Sequence, residues 1–129
     1  MGALRREHAV LIANGDHVGC SIDLDACRRT HEPNARRWDY VLVIRDRERS
    51  GVGMEVHPAA LSEIGAMIAK KAWALDLLAR ECVRLDVREW HWIIPPAGDA
   101  PSFRPGSPEA RRIADAGLGF PRRGLFIEV

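Results

Sequence analysis

Residues 38–57, WDYVLVIRDRERSGVGMEVH, decide the fold. Trp38–Ile44 is dense in β-branched and aromatic residues and reads as a strand. Arg45–Ser50 is a charged turn, and Gly51–His57 reads as a second strand, near enough to form an antiparallel hairpin with the first. Side chains alternate along a strand. Tyr40, Leu42 and Ile44 therefore share one face, while Asp39, Val41 and Val43 share the other. On the second strand Val52, Met54 and Val56 lie opposite in sense to Gly53, Glu55 and His57. A register that sets Asp39 across from Glu55 or His57 gathers all three polar groups on one face, within ~4.5–8 Å of one another. Two carboxylates at that separation repel unless a positive group stands between them. A divalent cation with oxygen ligands, Mg2+ or Mn2+, is the usual answer.

Beyond the hairpin, Pro58 opens the strongest element. Leu61, Ile64, Ile68, Ala72, Leu75, Leu78, Cys82 and Leu85 recur at spacings of three and four, which predicts an amphipathic helix of about six turns. On that wheel Lys71 falls inside the apolar arc and Lys70 points away. Lys71 is thus expected to reach the carboxylates, because a cation inside a buried arc needs a partner, and Lys70 is expected to be solvated. Glu89–Ile94 reads as a third strand, stopped by Pro95-Pro96 and followed by a Pro/Gly loop to Gly106. Ser107-Pro108-Glu109 starts a second helix, with Ser as N-cap and Pro in the first helical position, running to Ala116 and ending at Gly117. Gly124–Val129 reads as a closing strand. Upstream, Glu7–Ala13 is a short apolar run, Gly19–Leu24 a short strand and Asp25–His31 a helical turn or two. The pattern is that of an α/β protein with a mixed central sheet flanked by helices.

With 129 residues the chain forms one domain, 1–129. Hydrophobic residues make up 47% and charged residues 29%, which excludes a disordered tail protein. The longest apolar runs, Ala9–Ala13 and Val41–Ile44, fall far short of the ~20 residues of a membrane span. Met1–Arg6 is not followed by a signal-peptide pattern, and the three cysteines have no disulfide rhythm, so a cytoplasmic location is expected. Net charge is only +1, and the clustered arginines are interleaved with acids, as on a solvated mixed surface.

At Asp39 and at Glu55-Val56-His57 the chain resembles the PD-(D/E)xK nuclease superfamily, whose pattern is an Asp at the start of one strand, an acidic-x-Lys triplet on the next, and a helix after it. The resemblance covers roughly residues 22–129 and implies a restriction-endonuclease-like core. His57 stands where the triplet has lysine. Some members carry that lysine on the following helix, which points to Lys71 rather than Lys70. The implied activity is metal-dependent hydrolysis of phosphodiester bonds in nucleic acid. Asp39 and Glu55 would hold Mg2+ or Mn2+ with the Val56 carbonyl, Lys71 or His57 would orient water or stabilise developing charge, and Arg36 and Arg37 would contact the nucleic-acid backbone. The other reading is a catalytically degenerate version of this fold that binds nucleic acid or protein.

Rival features are weaker. Asp39 has a plain alternative as a carboxylate paired with Arg36 or Arg37. His17-x2-Cys20 and Cys27-x3-His31 supply four ligands at spacings compatible with zinc, without a Cys-x2-Cys pair. Cys82 falls on the apolar stripe, as a small hydrophobe would. Trp90 and Trp92 on one strand face suit a core more than a base-stacking platform.

Overall fold

In the computed structural model the chain is described over residues 5–45, 49–81 and 84–127. The elements run α1 (Arg6–Ala9), a 3-10 turn (Gly15–His17), β1 (Val18–Asp23), α2 (Leu24–Arg28), β2 (Tyr40–Ile44), β3 (Ser50–Val56), a 3-10 turn (Leu61–Glu63), α3 (Ile64–Glu81), β4 (Asp86–Ile93) and α4 (Pro108–Asp115). The hairpin forms as the alternation requires. The strands build one mixed sheet in the order β1-β2-β3-β4, antiparallel up to β3, with β4 parallel to β3. A parallel pair cannot be joined by a tight turn, and α3 makes the crossover.

The two faces of the sheet bury separate cores. On one face Val41 and Trp90 share a cluster with Ile64, Met67, Ala74, Leu77 and Leu78 of α3 and Ile113 of α4. On the other face Tyr40, Leu42, Val52 and Met54 pack with Ile12, Leu125 and Ile127. Ser107 caps α4 through Ala110 N–H, as its sequence demands.

Three expectations need correction. Residues 124–127 form no strand: Leu125 makes a single bridge, to Ile12, with backbone bonds to Leu11 and Ala13. The chain pairs with β4 just before this segment, through Gly119 N–H to Trp90 O and the Arg122 bridge to Ile93, and then turns to the N-terminal segment. Helix α3 begins at Ile64 rather than Pro58, because Ser102 holds the preceding segment through Ala59 O and Leu61 N–H. Its buried face is also turned roughly 60° from the expected arc. Met67, Ala74 and Leu77 face the sheet, whereas Leu61 and Leu75 are 50% and 46% exposed.

Gly53 shapes the helix-facing side of β3. A Cβ there would lie 2.4 Å from Trp90 Cε3, so the bare backbone is what admits the indole. Trp90 in turn meets Trp38 edge-on, with ring centroids 5.1 Å apart. Gly53→Ala should therefore cost about 1–3 kcal/mol by overpacking. Urea denaturation measures this, and an unchanged midpoint would contradict the packing described.

Candidate functional site

The register Tyr40↔Met54 and Val41↔Gly53, continued by one residue, sets Asp39 across from Glu55. Each acid then binds the other strand's backbone. Asp39 N–H donates to Glu55 Oε1 at 2.8 Å, and Val56 N–H donates to Asp39 Oδ2 at 3.0 Å. These crossed bonds extend the hairpin one step past its ladder. Glu55 is only 1% exposed although it sits next to the strand end. A buried carboxylate needs a cation or several donors, and Lys70 supplies the cation, with Nζ 2.6 Å from Glu55 Oε2.

His57 completes the group. Its Nδ1 lies 3.5 Å from Glu55 Oε2, and its Nε2 lies 3.1 Å from Glu63 Oε2. The Trp92 indole stands at an angle to the ring, and Trp92 Nε1 donates to the His57 carbonyl at 2.9 Å. The bond to Glu55 raises the His57 pKa, and Glu63 adds to it against the opposing effect of burial. Asp39 moves further. Burial, together with repulsion from Glu55, lifts its pKa to about 7, against the lowering effects of Val56 N–H and Lys70.

The lysine assignment is reversed. Lys71 does not meet the acids: its Nζ donates to Ala116 O at 2.5 Å, at the carbonyl end of α4, and stands 5.9 Å from the Trp90 ring centre. Burial lowers its pKa. The turn of α3 about its axis explains the exchange, since the two lysines flank the true buried face on opposite sides. Glu63 escaped the sequence reading. Its signal was available, because Glu63 and Lys70 are seven residues apart, about two turns, and so fall on one helical face.

Arg37 is also committed elsewhere. Its Nε donates to Asp25 Oδ1 at 2.8 Å and its Nη1 to Glu32 O at 2.6 Å, so it anchors the segment after α2 and is neither Asp39's partner nor a free phosphate contact. Arg36 is exposed. Trp90 and Trp92 are 4% and 0% exposed and belong to the core. Cys82 and the Cys27 side chain lie outside the described residues. Among the described residues no group of three or more His, Cys, Asp or Glu side chains could hold a metal ion, and the zinc-spaced set of His17, Cys20, Cys27 and His31 lies only partly within them.

No family model, curated protein or solved structure matches the chain.

The raised pKa of Asp39 links the site to stability. Its folded value of about 7 stands above the ordinary aspartate value of 3.8, so the folded state binds the extra proton between them. That contribution is complete below the lower value and is lost as pH rises through about 7. Metal-free protein should lose thermal stability between about pH 5 and about pH 8. Asp39→Asn keeps an acceptor for Val56 N–H without the charge. It should flatten that slope and raise Tm near pH 8 by roughly 4 °C. A variant with the wild-type slope would show that Asp39 is not the titrating group.

Proposed function

We propose that the protein is a metal-dependent phosphodiesterase of nucleic acid, built on a restriction-endonuclease-like core. The observation that carries this reading is the Asp39–Glu55 pair across β2 and β3, with Lys70 Nζ 2.6 Å from Glu55. Three further features support it. Asp39 immediately precedes β2, Glu55 lies on β3, and the helix after β3 carries the lysine, as in superfamily members whose lysine has moved there. The lysine is Lys70, and His57 occupies the vacated triplet position.

The donor set suits a hard cation. Asp39 and Glu55 offer oxygen only, and Mg2+ is commonly held by one or two carboxylates with water and substrate phosphate making up the rest. Two acids suffice for such a site, whereas a closed zinc site needs more. The Val56 carbonyl is the further ligand that the resemblance implies. Mg2+ or Mn2+ bound there would polarise the phosphoryl oxygen and acidify a water. The protein's own groups do the rest. Glu55 is oriented by Asp39 N–H, Lys70 supplies positive charge beside it, and Glu63 fixes the His57 ring. Arg36, exposed ahead of β2, would be the contact to a backbone phosphate.

The second reading is a degenerate module that binds nucleic acid or protein without cleaving. Both oxygens of Glu55 are already taken by protein donors, which favours it. Activity decides between them. With Mg2+ or Mn2+, wild-type protein should cleave a nucleic acid among single- and double-stranded DNA and RNA. Glu55→Gln should abolish cleavage, Lys70→Met should slow it by ~10²–10³, and Lys71→Met should leave it unchanged. No cleavage of any of these substrates would favour the binding module.

Metal binding should also release protons. Burial and the Glu55 charge raise the Asp39 pKa to about 7, so part of its population carries a proton there, and a ligating carboxylate must be ionised. Calorimetry in two buffers of different ionisation enthalpy should report net proton release on metal binding near pH 7, and less as pH rises. Zero release near pH 7 would remove Asp39 from the ligand set.

A further inference from the structure

We infer that Lys70 is a built-in counter-cation for Glu55, which a divalent metal displaces from Glu55 Oε2 as it binds. The inference rests on the metal-dependent reading above and concerns how that site is regulated. Glu55 is 1% exposed, and each of its oxygens already has a partner: Asp39 N–H at 2.8 Å on Oε1, and on Oε2 Lys70 Nζ at 2.6 Å with His57 Nδ1 farther off at 3.5 Å. Asp39 N–H and Lys70 Nζ, the two close donors, differ in how easily they yield. Asp39 N–H belongs to a backbone segment whose own carbonyl accepts from Leu24 N–H at 2.9 Å, so moving it disturbs the start of α2. The Lys70 ammonium ends a flexible four-carbon stem and can leave by side-chain rotation alone. The Lys70 side chain is 18% exposed, so its way to solvent is short.

Two cations on one carboxylate oxygen repel strongly, and a buried carboxylate without any cation is costly. Without metal the Glu55 charge is met at close range by Lys70, with His57 3.5 Å away, and when metal binds Lys70 is the group that leaves. His57 stays in place meanwhile, because Glu63 Oε2 lies 3.1 Å from its Nε2, on the side away from Glu55. The exchange has a functional consequence. The ammonium becomes available to a phosphate only after the metal has taken Glu55, so the metal-free protein keeps its lysine charge hidden from nucleic acid.

Titration with Mn2+ alone tests this, using wild type, Lys70→Met, Lys70→Arg and Lys71→Met. Lys70→Met should bind Mn2+ about tenfold more tightly or better, because the competing charge is gone. Lys70→Arg should gain nothing, and Lys71→Met should match wild type. In wild-type protein, amine labelling read by mass spectrometry should find Lys70 protected without metal and reactive with Mn2+. Equal or weaker binding by Lys70→Met overturns the inference. So does an equal gain in Lys71→Met, which would mean that net charge matters and displacement does not. Lys70 labelling that ignores Mn2+ also overturns it, and that measurement stands even if a variant fails to fold. If wild type binds Mn2+ but these differences are missing, only this inference falls. If wild type binds no Mn2+, the metal-dependent reading falls with it.

Discussion

Glu55 cannot remain a bare anion where the strand places it. It is nearly inaccessible, and its charge has to be met by groups that other elements bring. Asp39 comes from the approach to β2, Lys70 from the middle of α3, and His57 from the exit of β3 with Glu63 behind it. Each partner constrains an element. The Asp39 bonds clamp the hairpin beyond its ladder, and the Lys70 bond pins the crossover helix to the end of the strand that it follows. Cohesion and candidate chemistry are thus the same set of contacts.

That dual use changes what removing an acid would do. Two crowded carboxylates destabilise each other by repulsion alone, which suggests that either could be deleted at little cost. The crossed backbone bonds oppose this. Truncating Asp39 to Ala would leave Val56 N–H without its acceptor, and truncating Glu55 would leave Asp39 N–H and Lys70 without theirs. Amide substitutions separate charge from hydrogen bonding and are the more informative changes. The apolar floor beside the acids has a similar economy. Trp90 fills the space above Gly53, and Lys71 closes the far side by binding the Ala116 carbonyl at the C-terminal end of α4.

The hairpin and its acidic face were legible because they depend on a two-residue period. Alternation placed Tyr40, Leu42, Val52 and Met54 on one side and Asp39 and Glu55 on the other, and the structure keeps that division. The helix was legible as a helix but not in phase. Its apolar residues spread over a wide arc, so Leu61, Ile68, Ala72 and Leu75 fitted one stripe as well as Met67, Ala74 and Leu77 fitted another. The closing strand failed for a different reason: residues 124–127 have strand-like composition, but their neighbour is the short N-terminal segment, which meets them at the single bridge Ile12–Leu125.

The sequence by itself determined which side chains share a face of each hairpin strand, because alternation has a period of two; that Asp39 lies across from Glu55, and not from His57, was decided by the register. The sequence also determined that a helix bearing the only lysines, Lys70 and Lys71, would follow. Which lysine meets Glu55 was decided only by tertiary structure. Adjacent residues on a helix differ by about 100°, so a modest rotation exchanges their roles. That rotation is set by how α3 seats on Trp38 and Trp90 over a bare Gly53, a fit between distant side chains that no local pattern encodes.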